Sequence, residues 1–156
     1  MSNRTLSLLW KWLPVVCWIG IIVLESTDMM SATHTGQWLY SFVTRVFGQV
    51  DRARFEIFHH ILRKCGHFLG YGILAALFFR SLRATFTDGL GTLCCWSIAL
   101  TGGIAALDEW HQSFIPSRTG CVSDVILDTF GAATILLVLL TSLRIYRNLI
   151  PGGSEG

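Results

Sequence analysis

The chain has 156 residues, of which 52% are hydrophobic and only 14% charged, and its mean hydropathy is +0.54. Soluble domains carry about a quarter charged residues, so the charge deficit excludes an ordinary soluble fold and points to a single-domain membrane protein. A formal net charge of +2, with arginines scattered between apolar segments, excludes a nucleic-acid-binding stripe.

A hydrocarbon core of ~30 Å takes about 20 helical residues to cross, and four apolar stretches approach or reach that length. The first, residues 6–24, is interrupted by Lys11 and Pro14. The Glu25-Ser26-Thr27-Asp28 step behind it offers no small-x-small cleavage site, so an uncleaved anchor is expected rather than a signal peptide. A long connection, residues 25–60, follows. Within it Trp38, Leu39, Phe42, Val43, Val46 and Phe47 recur at helical spacing. That pattern reads as a short amphipathic helix. It either lies in the membrane interface, anchored by Trp38 and Tyr40, or packs over the mouth of the bundle.

The second stretch, residues 61–79, opens with Arg63 and Lys64 and carries His67. The third, residues 90–107, ends at Asp108 and Glu109, and the fourth, residues 125–143, is entered through Asp124 and carries Asp128. The tail, residues 151–156, is expected to be disordered. The expected fold is all-α: a polytopic four-helix transmembrane bundle plus a short interfacial amphipathic helix, one domain over residues 1–150.

Flanking charge sets the expected orientation. Arg4, Lys11, Arg80, Arg83, Arg144 and Arg147 collect on one side, and Arg45, Arg52, Arg54, Arg63, Lys64 and Arg118 on the other. The counts tie, but the first set sits in shorter segments tight against the spans. The positive-inside rule then places both termini in the cytoplasm.

That topology brings three span ends to one level. Lys64, His67 and Tyr71 are spaced i, i+3, i+7 on one helix face. Asp108 and Gln112 are spaced i, i+4, with Glu109 and His111 beside them, and Asp124, Asp128 and Gly131 repeat i, i+4, i+7. An aspartate one turn inside an apolar helix costs a few kcal/mol unless it is paired or faces water. Lys64 or Arg118 is therefore expected to pair with Asp128, and the short turn between the third and fourth spans favours Asp108 as a partner of Arg118. Cations beside histidine and aspartate suit a phosphate. His67, Asp108, His111 and Asp124 are the candidate acids, bases or nucleophiles; Lys64, Tyr71, Glu109, Gln112, Arg118 and Asp128 are the candidate ligand-binding groups. His67, His111, Asp108, Glu109 and Asp124 are metal-ligand types, but their spacing fits no strong signature, so no metal is assigned and no cofactor is named.

The competing reading of these charges is an ion-pair network that only staples the helices; their gathering at one level favours function. Of five cysteines, Cys17, Cys94 and Cys95 lie inside apolar runs as small packing residues, whereas Cys65 and Cys121 flank the polar cluster.

The runs Arg63-Lys64-Cys65-Gly66-His67-Phe68-x-x-Tyr71 and Asp108-Glu109-x-His111-Gln112-x-Phe114-x-Pro116-x-Arg118 resemble the VanZ-like family, and Asp124-x-x-x-Asp128-x-x-Gly131 continues the likeness. It is strongest over residues 60–140, and Glu25-Ser26-Thr27 is similar to that family's segment after the first span. The resemblance implies a site at Lys64, His67, Tyr71, Asp108, Glu109, His111, Gln112, Arg118 and Asp124. Many relatives carry Asn where Asp128 stands, so no role is carried over to that position. The family is named for a protein associated with low-level resistance to teicoplanin. Ser117-Arg118, five residues, Asp124, three residues, Asp128 also has the spacing of a motif of type-2 phosphatidic acid phosphatases. Here Asp stands in place of the nucleophilic His, and that family's Pro-Ser-Gly-His is missing.

Three functions follow as expectations. In a bacterial cytoplasmic (inner) membrane, as the resemblance implies, the chain binds an anionic lipid or lipid-linked cell-wall precursor; or it is a membrane enzyme, a hydrolase or transferase acting on a lipid phosphate or head group; or it is a structural or partner membrane subunit whose charges only lock helices.

Overall fold

The computed structural model describes residues 3–27, 32–116 and 120–149. Arg118, with its expected pairing to Asp108 or Asp128, and the tail beyond residue 150 lie outside the described residues. The helices are α1 (Asn3–Glu25), α2 (Ala32–Phe47), α3 (Arg52–Thr85), α4 (Leu90–Gln112) and α5 (Val122–Leu149). All but α2 contain stretches long and apolar enough to cross a membrane. The protein is an all-α membrane bundle with one additional amphipathic helix.

The helix of the second span begins at Arg52, not near residue 61 as hydropathy suggests. Its 34 residues make it about 51 Å long, some 20 Å more than a hydrocarbon core needs. The added turns are polar enough to escape a hydropathy reading yet helical in their spacing. Arg52 and Glu56 pair across one turn at 3.1 Å, while Phe55 and His59, also one turn apart, are buried.

What buries them is α2. The Tyr40 and Phe55 rings meet edge to face at 5.1 Å, and the Tyr40 hydroxyl donates to the Val50 carbonyl at 3.0 Å. The Arg52 guanidinium lies over the Tyr40 ring at 5.3 Å, a cation–π contact. Tyr40 is therefore a docking residue and not the expected interface anchor. Trp38 is 73% exposed, and Phe42, Val46 and Phe47 are exposed as well. One face of α2 packs on α3, and the opposite, apolar face looks outward.

Helix α3 is the axis of the molecule and buries the most residues, among them Leu74, Ala75, Phe78, Phe79 and Leu82. Antiparallel α1 is tied along it. The Lys11 ammonium reaches the Ala84 carbonyl at the C-terminal end of α3 (2.7 Å), and the Ser81 hydroxyl donates to the Lys11 carbonyl (2.8 Å). A lysine inside an apolar span is tolerated because its stem runs to that helix terminus. Near the middle of both helices the Trp18 indole N–H donates to the Gly70 carbonyl at 2.9 Å.

Helix α5 runs parallel to α3 at close approach. A Cβ on Gly131 would collide with the Phe68 carbonyl, and one on Gly72 with the Ile135 side chain. Such small residues let backbones meet where no hydrophobic force separates helix from lipid. Helix α4 closes the bundle, with Leu93 packing among Phe79, Leu82 and Leu136, and Ala105 near Tyr71 and Leu74. Leu9, Trp10, Val16, Trp96, Leu137 and Val138 are exposed around it, a surface suited to lipid. Cys17 and Cys95 share that exterior, while Cys94 is half-buried. The packing role expected of all three is thus confined to Cys94.

Candidate functional site

The C-terminal ends of α1 and α4 and the N-terminal portions of α3 and α5 gather at one end of the bundle. Because α3 and α5 run parallel, residues spaced by helical turns on each meet as rungs. The first rung is the ion pair of Lys64 Nζ and Asp124 Oδ1 at 2.6 Å, with 40% and 31% of the side chains exposed. One turn deeper, His67 Nδ1 lies 3.5 Å from Asp128 Oδ2, with 28% and 1% exposed. Lys64 therefore pairs with Asp124 and not with Asp128. The register fixed at Gly72 and Gly131 sets His67, one turn below Lys64, against the deeper aspartate.

The third rung joins α3 to α4. The Tyr71 hydroxyl and the Gln112 amide both donate to Asp108 Oδ2 at 2.9 Å. The His67 and Tyr71 rings lie near-parallel, 6.1 Å between centroids, linking the second rung to the third. His111 faces a different neighbour: its Nδ1 shares a hydrogen bond with the hydroxyl of buried Ser26 at the end of α1, 3.3 Å. Glu109 is also buried, and its Oε2 accepts the Cys121 backbone N–H at 2.8 Å. It thereby holds the chain just ahead of the first turn of α5, where free N–H groups favour a carboxylate.

The structure thus brings together Lys64, His67, Tyr71, Asp108, Gln112, Asp124 and Asp128. It sets His111 at the edge beside Ser26, and it engages Glu109 with backbone. Among the described residues, no three His, Cys, Asp or Glu side chains form a group able to hold a metal ion.

Two spaces adjoin the rungs. A cavity of about 20 Å³, enough for a single water, is lined by His67, Tyr71, Asp108 and Gln112 together with Glu25 and Ser26. A groove of about 800 Å³ runs between α1, α2 and α3, and the two share Ile22, Glu25, Gly66, His67 and Gly70 in their walls. His67 is the polar side chain of α3 that faces both. Arg63 and Lys64 lie four and three positions before it, so both cations sit one turn above it on the helix surface.

Sequence reasoning left Glu25, Ser26, Arg63, Gly66 and Gly70 out of the site. The Glu25-Ser26 step at the end of the first span and the i, i+4 relation of Arg63 to His67 were available signals. The two glycines carried none, because space left by an absent side chain shows only in three dimensions.

This arrangement defines a class: a polytopic α-helical membrane protein with an ionisable cluster set into one end of its bundle. A family model described as VanZ/LLP1 matches residues 11–144, and the chain belongs to that family. Comparison with curated proteins and with solved structures gave no match.

Proposed function

We propose that this end of the bundle binds the anionic head group of a membrane lipid or lipid-linked cell-envelope precursor. In this reading it lies on the extracytoplasmic side, with both termini in the cytoplasm of a bacterial cell. The observation that carries the reading is the position of His67. It lies under Arg63 and Lys64, is backed by Asp128, and opens on the groove side. A phosphate laid over His67 on the groove side meets the Arg63 guanidinium and the imidazole, with the Lys64–Asp124 pair beside them on the helix surface. Asp108, Tyr71 and Gln112 lie one water away across the small cavity and complete the recognition of head-group hydroxyls. At the level of the cell, the proposed consequence is altered susceptibility to teicoplanin through the lipid or precursor that is bound.

Purification from mixed membranes followed by mass spectrometry of retained lipid tests the proposal. The protein should carry anionic phospholipid enriched about tenfold over the bulk ratio. Retention in the bulk ratio would remove the head-group reading.

A second reading, hydrolysis of the bound head group, is favoured by one specific feature. The small cavity has room for one water between His67, whose Nδ1 lies 3.5 Å from the buried Asp128 carboxylate, and Asp108, the place that a general base and its water nucleophile would occupy. Release of phosphate or head group from a radiolabelled lipid, abolished by His67→Gln, would put this reading first; stoichiometric binding without turnover would leave binding alone.

A further inference from the structure

We propose that the groove between α1, α2 and α3 holds one acyl chain of the lipid whose head group lies over His67, so that the ligand is an intact membrane amphiphile rather than a soluble anion; this rests on the head-group reading above. The groove volume of about 800 Å³ falls within the range of pockets that enclose small organic molecules. Its deep walls are apolar, with Trp18, Ile21, Leu69 and Ile73. Between Arg63 at the mouth and Ile73 at depth the α3 wall descends about 15 Å, half the thickness of a hydrocarbon core.

The gap is built into the helices. Gly66 and Gly70 lie one turn apart along its floor, and a Cβ at either would meet nothing within 4 Å. The Trp18–Gly70 hydrogen bond pins α1 to α3 at the deep end, so the space does not come from loose packing. Trp38 and Leu39 of α2 roof it, and the exposed apolar face of that helix holds the roof at the bilayer surface. An apolar groove at this depth loses dispersion contacts unless hydrocarbon fills it, and the bilayer supplies hydrocarbon. At the mouth, Arg63 faces Glu25, and His34, His59 and His67 ring them with hydrogen-bonding nitrogens, so the polar end of an amphiphile is met there and its chain below.

The groove continues into the cluster through residues common to both spaces, so a chain lying in it delivers its head group to His67.

The test is a series of phosphatidylglycerols with chains of four, eight and sixteen carbons, titrated against the full chain in detergent, with matched phosphatidylcholines as controls. Affinity for phosphatidylglycerol should rise with chain length. Ile73→Trp should fill the deep end of the groove, away from the cluster, and reduce the long-chain affinity about tenfold or more while leaving the four-carbon affinity unchanged. Leu69→Trp repeats the test should Ile73→Trp fail to fold. A flat dependence on chain length, or long-chain binding untouched by the filled groove, overturns the chain site while the anionic preference leaves the cluster reading standing. Equal binding of phosphatidylglycerol and phosphatidylcholine at every length overturns both.

Discussion

The Lys64–Asp124 pair sits at the mouth of the cluster with both side chains partly exposed, and exposed pairs of this kind contribute about 0–1 kcal/mol to stability. It is too weak to be a staple. Lys64→Met combined with Asp124→Leu should leave the melting temperature in detergent within about 3 °C of the parent chain, because so small a loss shifts it little. The same double change should lower anionic-lipid enrichment about tenfold. The His67–Asp128 rung behaves in the opposite way, since Asp128 is only 1% exposed. His67→Leu alone strands a buried carboxyl and should cost about 3–5 kcal/mol, and adding Asp128→Leu should restore most of that loss. Thermal denaturation of the single and double variants checks both expectations. A cluster that only staples helices requires the exposed pair to be destabilising as well. Helical spacing alone put Lys64, His67 and Tyr71 on one face, and it did so correctly. It could not assign their partners, because which aspartate meets Lys64 depends on how far α5 is shifted along α3, and no periodicity within one helix carries that offset.

That offset belongs to the helices, and two glycines fix it. At Gly131 a new Cβ would run into the Phe68 carbonyl, which is helix backbone and cannot rotate aside. Gly131→Ala should therefore destabilise the bundle by about 1–3 kcal/mol and spread the rungs apart, whereas Gly66→Ala, with open space around it, should be neutral or mildly stabilising. Denaturation midpoints of the two variants distinguish these effects. Gly66 adjoins His67 and Gly131 follows Asp128 by three residues, both on apolar helices, so composition cannot tell the packed one from the open one. The transmembrane helices were legible from hydropathy because length and apolarity are the properties a bilayer demands. The beginning of α3 was not. Residues 52–60 mix Arg52, Glu56 and His60 with Phe55 and His59, and they become a helix by burying the latter two under α2. The inward turn of Tyr40 was hidden for the same reason: an amphipathic helix has two partners to choose between, and the sequence of α2 does not name which aromatic faces which.

At the scale of the whole molecule, the ionisable rungs lie at one end of the bundle and Lys11, Arg80, Arg83, Arg144 and Arg147 at the other, so its sidedness in the membrane decides what the rungs can reach. We expect a cysteine introduced at Ser2 to be protected from an impermeant thiol reagent in intact cells and one at His34 to be labelled, in a background with the five native cysteines replaced. The reverse pattern would put the cluster on the cytoplasmic face. Lipid recognition is tested most directly by titrating the parent chain and the His67→Leu/Asp128→Leu double variant with short-chain phosphatidylglycerol and phosphatidylcholine. The parent chain should prefer the anionic lipid about tenfold, and the double variant, still folded, should show no preference. An undiminished preference in the folded double variant, or none in the parent chain, would contradict the assignment of head-group binding to His67.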